Sequence, residues 1–333
     1  MKKTLIKVLF ILLIILLLNS LFLTTSKAFD KDEVIKREDV IETEQLSQEE
    51  YVIYKYDKKT DTTTIVDTEE MLSLCNLTST NESQGYTPPY QLTKTNFNSL
   101  RNIPNFFFSP NLSLRPYSDT CKIIAEGGLN HGSGFLVGSN LLLTNAHCVF
   151  SDKTFENYYA NWTCYPAYDN GPYSEGLFTG WDTVYYSSGY GSIFESVSDE
   201  NDWALCVLQS NLGDSQGWFG CRSYGSNSYL EDKPVKQMGY PKNDGFDGKY
   251  QFYSIGNITD VRSKSFDADS INHAAMSGGP IVLQSDENYA VGLIKGRHED
   301  NTTYGVRITS EIVDLINSCL LYTSPSPRDP KTS

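Results

Sequence analysis

Three short segments of the chain contain the residue types that nucleophilic catalysis requires. They are TNAHC at 144–148, NDWAL at 201–205 and MSGGP at 276–280. A serine hydroxyl is a weak nucleophile at neutral pH, so an imidazole must take its proton and a carboxylate must hold the imidazole in the correct tautomer. The segments predict His147 as the base, Asp202 as the orienting acid and Ser277 as the nucleophile.

The pattern from about Tyr117 onward predicts the elements that hold these segments. Short apolar runs such as GFLVG, LLLT and ALCVL alternate with Gly, Pro and Asn turn residues, and helical periodicity is scarce before Ser310 to Ser318. Many strands at short spacing are typical of an all-β barrel or sandwich. We therefore expect an all-β protein that ends in a short helix.

The first 28 residues are typical of a secretory signal peptide. Lys2 and Lys3 precede the apolar run from Val8 to Leu18, and the segment ends in a small-x-small pattern at 26–28. A membrane anchor is the alternative, but this run is short of the roughly 20 apolar residues that span a bilayer. We expect a secreted, extracellular protein without stable membrane association.

Residues 29–101 are more acidic than the rest of the chain. The net charge is −14, which argues against nucleic acid as a partner, and residues 29–101 contain fifteen Asp and Glu against eight Lys and Arg. An acidic segment at this place predicts a propeptide and linker on a zymogen, processed near Arg101 to Asn105, with Arg101 as the cleavage point and the protease domain at 102–318. A small permanent accessory domain is the alternative.

The cysteines predict disulfides. The chain contains Cys75, Cys121, Cys148, Cys164, Cys206, Cys221 and Cys319. Export implies an oxidising compartment, and the local candidate pairs are Cys148 with Cys164 and Cys206 with Cys221. Cys148 lies beside His147 and suggests a cysteine protease, but a half-cystine that fixes the histidine loop is the preferred interpretation. No pair has zinc-ribbon spacing, and we expect no metal and no cofactor.

Several longer motifs carry a family resemblance. They are GSGFLVGSNLLLTNAHCV (132–149), YPAYDNGPYSEG (165–176), NDWALCVLQSNLGDSQGWFG (201–220), MGYPKN (238–243), MSGGPIV (276–282) and YGVRITSEIVDLI (304–316). Together they resemble the glutamyl-endopeptidase branch of the trypsin-like serine proteases. The resemblance implies two six-stranded antiparallel β-barrels, a triad in the cleft between them, and hydrolysis of protein or peptide substrates by a monomer.

The resemblance also implies a role for each triad residue. Ser277 attacks the scissile carbonyl and forms an acyl-enzyme, while His147 takes the serine proton and returns it to the leaving amine. Asp199 and Glu200 are rival carboxylates. Asp202 is preferred because it directly precedes the apolar strand, as the family pattern requires.

The turn around the nucleophile departs from the family. The oxyanion hole is expected to use the backbone N–H groups of Ser277 and Ala275, where the family has glycine. If the turn needs a positive φ, the Ala275 Cβ costs about 1 kcal/mol or more. Met276 is a milder departure. A catalytically impaired homologue that serves as a binding module is therefore the alternative function, and a membrane-attached accessory domain is a third.

The predicted pocket does not match the family either. Ile294 stands where the branch has the histidine that reads glutamate, so glutamate selectivity does not carry over. Lys295 and Arg297 could offer positive charge to an acidic residue before the scissile bond, and Asn272 falls on the pocket wall. Two solvated basic residues are the alternative interpretation.

Two further features complete the sequence. His131, His273 and His298 fit no metal motif, although His273 lies near the expected pocket. Residues 319–333 resemble an artefactual or disordered tail, which would exclude Cys319 from the fold.

Overall fold

The computed structural model describes residues 51–74, 77–88, 105–125, 128, 130–150, 162–192 and 195–323. The predicted signal peptide lies outside these residues, as do positions 89–104 with the predicted cleavage point Arg101. Within the described ranges, no helix combines the length and the apolar character that a membrane crossing needs.

Short strands make up most of the described chain. The strands are β1 (Ile53–Asp57), β2 (Thr62–Val66), β3 (Glu82–Ser83), β4 (Phe106–Phe108), β5 (Thr120–Ala125), β6 (Asn130–Leu136), β7 (Leu141–Thr144), β8 (Thr163–Pro166), β9 (Trp181–Ser187), β10 (Ala204–Leu208), β11 (Gly220–Arg222), β12 (Pro234–Gly239), β13 (Lys242–Asn243), β14 (Phe246–Asp247), β15 (Phe252–Val261), β16 (Ser265–Ile271), β17 (Pro280–Leu283), β18 (Asp286–Arg297) and β19 (Thr302–Arg307). The α-helices are α1 (Thr68–Leu74), α2 (Glu195–Glu200), α3 (Gly213–Gln216), α4 (Asn227–Leu230) and α5 (Ser310–Thr323).

The first sheet has the strand order β2-β1-β9-β10-β7-β6-β5-β8, with antiparallel neighbours. Strand β7 is the apolar run LLLT, and all four of its residues are buried. Such a run lacks the alternation of a half-exposed strand because both of its faces meet apolar groups. A bridge between Cys164 and Thr179 joins the end of this sheet back toward the start of β9.

The second sheet contains a closed six-stranded barrel. Its strands follow the order β17-β12-β15-β16-β19-β18, and antiparallel pairing of β17 with β18 closes the ring. Closure removes the unpaired edges that an open sheet would expose. The predicted all-β architecture, with two antiparallel barrel units and a C-terminal helix, is confirmed.

Helix α5 extends beyond its predicted end. The sequence predicted a helix over 310–318 and a tail from 319, whereas the helix continues to Thr323 and buries Cys319 in the core. Apolar residues at 312, 315, 316 and 319 keep the spacing of one helix face, so the same face stays packed through the added turn.

The described part of the predicted propeptide, residues 51–88, is joined to both sheets. Strand β1 pairs with β9 over five residue pairs, and β3 pairs with β11. The Ser79 hydroxyl and the Thr80 amide both donate to the Asp314 carboxylate of α5, at 2.6 and 2.9 Å. This segment therefore supplies strands to the protease sheets.

The predicted disulfides are not formed. Cys121, Cys148, Cys164, Cys206 and Cys221 are buried free thiols, and Cys75 lies outside the described residues. Cys206 on β10 belongs to the first sheet and Cys221 on β11 to the second, which explains why proximity in sequence misleads for that pair. The Cys148 thiol donates to the Ser277 carbonyl oxygen at 3.5 Å and is not bonded to Cys164.

Candidate active site

Pairing of two strands brings the predicted base and the predicted acid together. His147 lies in a 3-10 turn, Ala146–Cys148, separated by one residue from the end of β7, and Asp202 lies two residues before Ala204, the first residue of β10. Strands β7 and β10 are antiparallel neighbours with Thr144 opposite Ala204. The end of one strand therefore faces the start of the other, and both functional side chains emerge at the same edge.

The two side chains make a two-point contact. His147 Nδ1 lies 2.6 Å from Asp202 Oδ2, and the His147 backbone N–H donates to Asp202 Oδ1 at 3.0 Å. The Asn145 side-chain amide donates to the Asp202 backbone carbonyl at 2.6 Å. Both carboxylate oxygens are thus occupied, which fixes the imidazole with Nδ1 facing the acid and Nε2 directed away.

Burial and charge act in opposite directions on this pair. Burial opposes the ionisation of Asp202, but the positive charge and hydrogen bonds of His147, together with Lys295, hold the pKa of that carboxyl below its usual range. Burial also opposes protonation of His147, yet Asp202 raises the pKa of the imidazole well above its ordinary value. Asp202 therefore stabilises the imidazolium that forms when His147 accepts a proton.

Ser277 lies in a tight turn between β16 and β17. Gly278 has a φ of +84°, and a Cβ at this position would collide with the Ser133 carbonyl and the Thr144 hydroxyl. The Gly278 N–H donates to the Ile294 carbonyl at 2.7 Å, and the Ser133 N–H donates to the Ser277 carbonyl at 2.8 Å. Strands of both barrels therefore hold the turn.

The Ser277 hydroxyl donates to the backbone carbonyl of Lys295 at 2.9 Å. Proton transfer to His147 would require the hydroxyl to exchange this acceptor for an imidazole nitrogen. In this structure the hydroxyl of the predicted nucleophile is held against strand β18.

Two backbone amides next to the nucleophile are available. Ala275 has a φ of +67°, so the turn does adopt the left-handed region that the family occupies with glycine. Across the part of the chain that the structure describes, the N–H groups of Ala275 and Ser277 donate to no protein acceptor. A pair of unoccupied amides is what an oxyanion hole offers to a developing negative charge.

The residues predicted for the pocket are buried or paired. The Lys295 ammonium lies 2.8 Å from Asp199, and Arg297 Nη1 lies 2.7 Å from Asp244. Ile294 is fully buried. Asn272 donates to the Gly296 carbonyl at 2.7 Å, while its Oδ1 has no hydrogen-bond partner among the described residues. Lys295 and Arg297 are thus each neutralised within the protein.

The other histidines lie elsewhere. His298 Nε2 is 2.9 Å from Asp267, and His131 Nε2 is 2.8 Å from the Gly128 carbonyl. His273 packs edge-on against Phe106, and burial lowers its pKa. In the described ranges, no three or more His, Cys, Asp and Glu side chains are grouped in a way that could hold a metal ion.

Sequence reasoning missed two supporting contacts. Ser133 donates from its hydroxyl to the Ala275 carbonyl at 2.9 Å and accepts from the Tyr240 amide at 3.0 Å. Asp199 was considered only as a rival for Asp202, and its pairing with Lys295 went unpredicted. The position of Ser133 within GSGFLVG was a usable signal, whereas the partner of Asp199 lies 96 positions along the chain.

Comparisons with known proteins agree with this geometry. Residues 132–293, just under half of the chain, match the family described as trypsin-like peptidase domain. The extracellular metalloprotease of Bacillus subtilis (strain 168) is 24% identical over 186 residues, which cover 55% of this chain and 56% of that protein. The chain therefore spans about half the length of this curated relative.

Solved structures share the fold. A Glu endopeptidase in complex with MPD has a TM-score of 0.55 at 21% identity, with 65% of this chain and 97% of that chain covered. The protease Anisep from Arthrobacter nicotinovorans has a TM-score of 0.52 at 19% identity, with 66% and 100% covered.

Over residues 132–293 the chain is therefore similar to trypsin-like peptidases. A Glu endopeptidase is among the solved structures that share its fold.

Proposed function

We propose that the protein is a secreted serine endopeptidase that uses Ser277, His147 and Asp202. The observation that carries the proposal is the two-point contact between His147 and Asp202, because it fixes the imidazole for proton transfer on one face. Ser277 lies in a turn of the second barrel, where the backbone N–H groups of Ala275 and Ser277 donate to no acceptor among the described residues.

The chemistry follows from these positions. His147 takes the proton of Ser277 as its hydroxyl attacks the substrate carbonyl, and the amides of Ala275 and Ser277 receive the oxyanion. The imidazolium then gives the proton to the leaving amine, which leaves an acyl-enzyme that water hydrolyses by the same steps in reverse. Asp202 stays ionised and stabilises the imidazolium.

The substrate class proposed is protein or peptide, without a preference assigned. The acidic preference suggested by Lys295 and Arg297 loses its support, because each cation already has a carboxylate partner. A carboxylate on the substrate would have to displace Asp199 or Asp244.

Secretion and activation complete the proposal. The extracellular designation of the Bacillus relative and the pattern of the first 28 residues support export. We propose that the chain is made as a zymogen and cut near Arg101 to Asn105, with Arg101 as the cleavage point.

A fluorophosphonate probe tests the proposal. The processed protein should be labelled once per chain, and Ser277→Ala should abolish labelling and lower turnover by about 10⁶-fold. The exposed Ser226→Ala is the matched control and should label like the parent. A folded, processed protein that does not label would favour the binding-module alternative.

A further inference from the structure

A buried ion pair lies behind the proposed triad. Lys295 Nζ is 2.8 Å from Asp199 Oδ1, and both side chains are only 5% exposed. Lys295 belongs to β18 of the second barrel, and Asp199 belongs to α2, which leads into Asp202. The pair therefore bridges the two halves of the molecule beside the catalytic acid.

Lys295 also contacts the nucleophile through its backbone. Its carbonyl oxygen accepts the Ser277 hydroxyl at 2.9 Å. The preceding residue, Ile294, accepts from the Gly278 amide at 2.7 Å and donates to the Gly279 carbonyl at 2.9 Å. The position of the Lys295 backbone is therefore tied to the position of the serine turn.

Stability alone does not account for this pair. Removing two charges from water costs about as much as their attraction returns, and apolar side chains of similar size often stabilise a core better. Asp199 lies three residues before Asp202 and its backbone carbonyl accepts from the Asp202 N–H at 3.3 Å, so a negative charge on Asp199 would disfavour ionisation of the proposed acid. An adjacent ammonium cancels that effect.

We infer that Lys295 is a positioning residue of the proposed triad: its ammonium balances Asp199 beside Asp202 while its carbonyl orients the Ser277 hydroxyl. This inference rests on the proposed function. It explains why a lysine is buried at this point of β18.

The charged groups around His147 determine the direction in which each substitution should shift the pKa of its imidazole. Asp202 faces the imidazole from the turn before β10, the Cys148 thiol from its own turn, and Lys295 acts from β18. Asp199 reaches the site from α2, whereas its neighbour Glu200 accepts from the Ser265 hydroxyl on the other side. Lys295 and Asp199 should therefore perturb the His147 titration with opposite signs.

The experiment measures the second-order rate of fluorophosphonate labelling against pH, which needs no known substrate. The acid limb of this pH–rate profile reports the deprotonation of His147. Lys295→Met removes a positive charge that acts on Asp202, favours the imidazolium and should move the acid limb to higher pH. Asp199→Asn removes a negative charge beside Lys295 and should move the acid limb to lower pH. Each shift should be on the order of one pH unit, as a unit charge produces at roughly 10 Å in an effective dielectric of about 20.

Three variants serve as controls. The double variant, Lys295→Met with Asp199→Asn, should return the limb close to that of the parent, because charge is balanced again. Lys295→Arg should keep it as well. Arg262→Met breaks a similarly buried ion pair with Asp267, and should lower stability without moving the limb.

The outcomes separate the inference from the proposed function. Limbs that do not move, or that move in the same direction in both single variants, would overturn the role of Lys295. If the parent protein never labels at Ser277, the proposed function fails instead. In that case the pKa of the His147 ring, measured by NMR, should still shift in opposite directions in the two single variants.

Discussion

Replacing Ala275 by glycine tests the strained turn directly. Ala275 has a φ of +67°, while its neighbour Ala274 does not share the left-handed conformation. A left-handed conformation costs a residue with a Cβ about 1–2 kcal/mol, and glycine adopts it freely. Against this gain, glycine raises the entropy of the unfolded chain, which costs about 0.4–1 kcal/mol.

The net effect of Ala275→Gly should be a stabilisation of about 0.5 kcal/mol or more. Ala274→Gly is the matched control in the same turn. That change relieves no strain, loses a largely buried methyl worth about 0.8 kcal/mol, and carries the same entropic cost. The two variants should therefore differ in the free energy of unfolding by roughly 2 kcal/mol, with opposite signs relative to the parent.

Urea unfolding and the labelling rate measure both sides of this prediction. The amide at position 275 is retained, so Ala275→Gly should change the fluorophosphonate labelling rate by no more than about threefold. If Ala275→Gly destabilises the protein as much as Ala274→Gly does, the strain argument is wrong. A labelling rate that rises more than about tenfold would show that the Ala275 methyl holds the amide away from the oxyanion.

Two further predictions follow from the packing. After the proposed cleavage near Arg101 to Asn105, the N-terminal fragment should co-elute with the protease in gel filtration and separate only in denaturant. Ile53→Asp, which places a charge in the core under β1, should release the fragment. The five buried thiols of Cys121, Cys148, Cys164, Cys206 and Cys221 should resist Ellman's reagent in the native protein and react after unfolding without reductant, because burial raises the pKa of thiols such as Cys206 and blocks access. Thiols that stay silent after unfolding would indicate disulfides.

Short local patterns predicted the fold best. The roles of His147, Asp202 and Ser277 stay a prediction from three short motifs, whereas the apolar runs beside those motifs do form strands, such as LLLT in β7 and ALCVL in β10. The all-β fold and the helix at Ser310 follow from the same local patterns. A feature that is determined by neighbouring residues can be predicted from a single sequence.

Contacts between distant segments were not predictable in this way. The pairing of Lys295 with Asp199 depends on how β18 packs near α2, and this packing cannot be predicted from the spacing of the two residues in the sequence. The same limit explains why the predicted disulfide between Cys206 and Cys221 is wrong, since the two residues are close in sequence but belong to different sheets. The burial of Cys319 continues a periodic pattern and could have been found by following the helix one turn further.

The N-terminal segment constrains how activation can work. A propeptide is usually pictured as a unit that leaves, but β1 covers one edge of β9, and α1 packs against α5. Ile53 is buried in the same core as the strands of the first barrel. Loss of the segment would expose that core and an unpaired strand edge, at a cost in stability. The proposed cut near Arg101 to Asn105 would therefore free new chain ends while the strands stay in place, and activation should depend on what those ends do near the cleft.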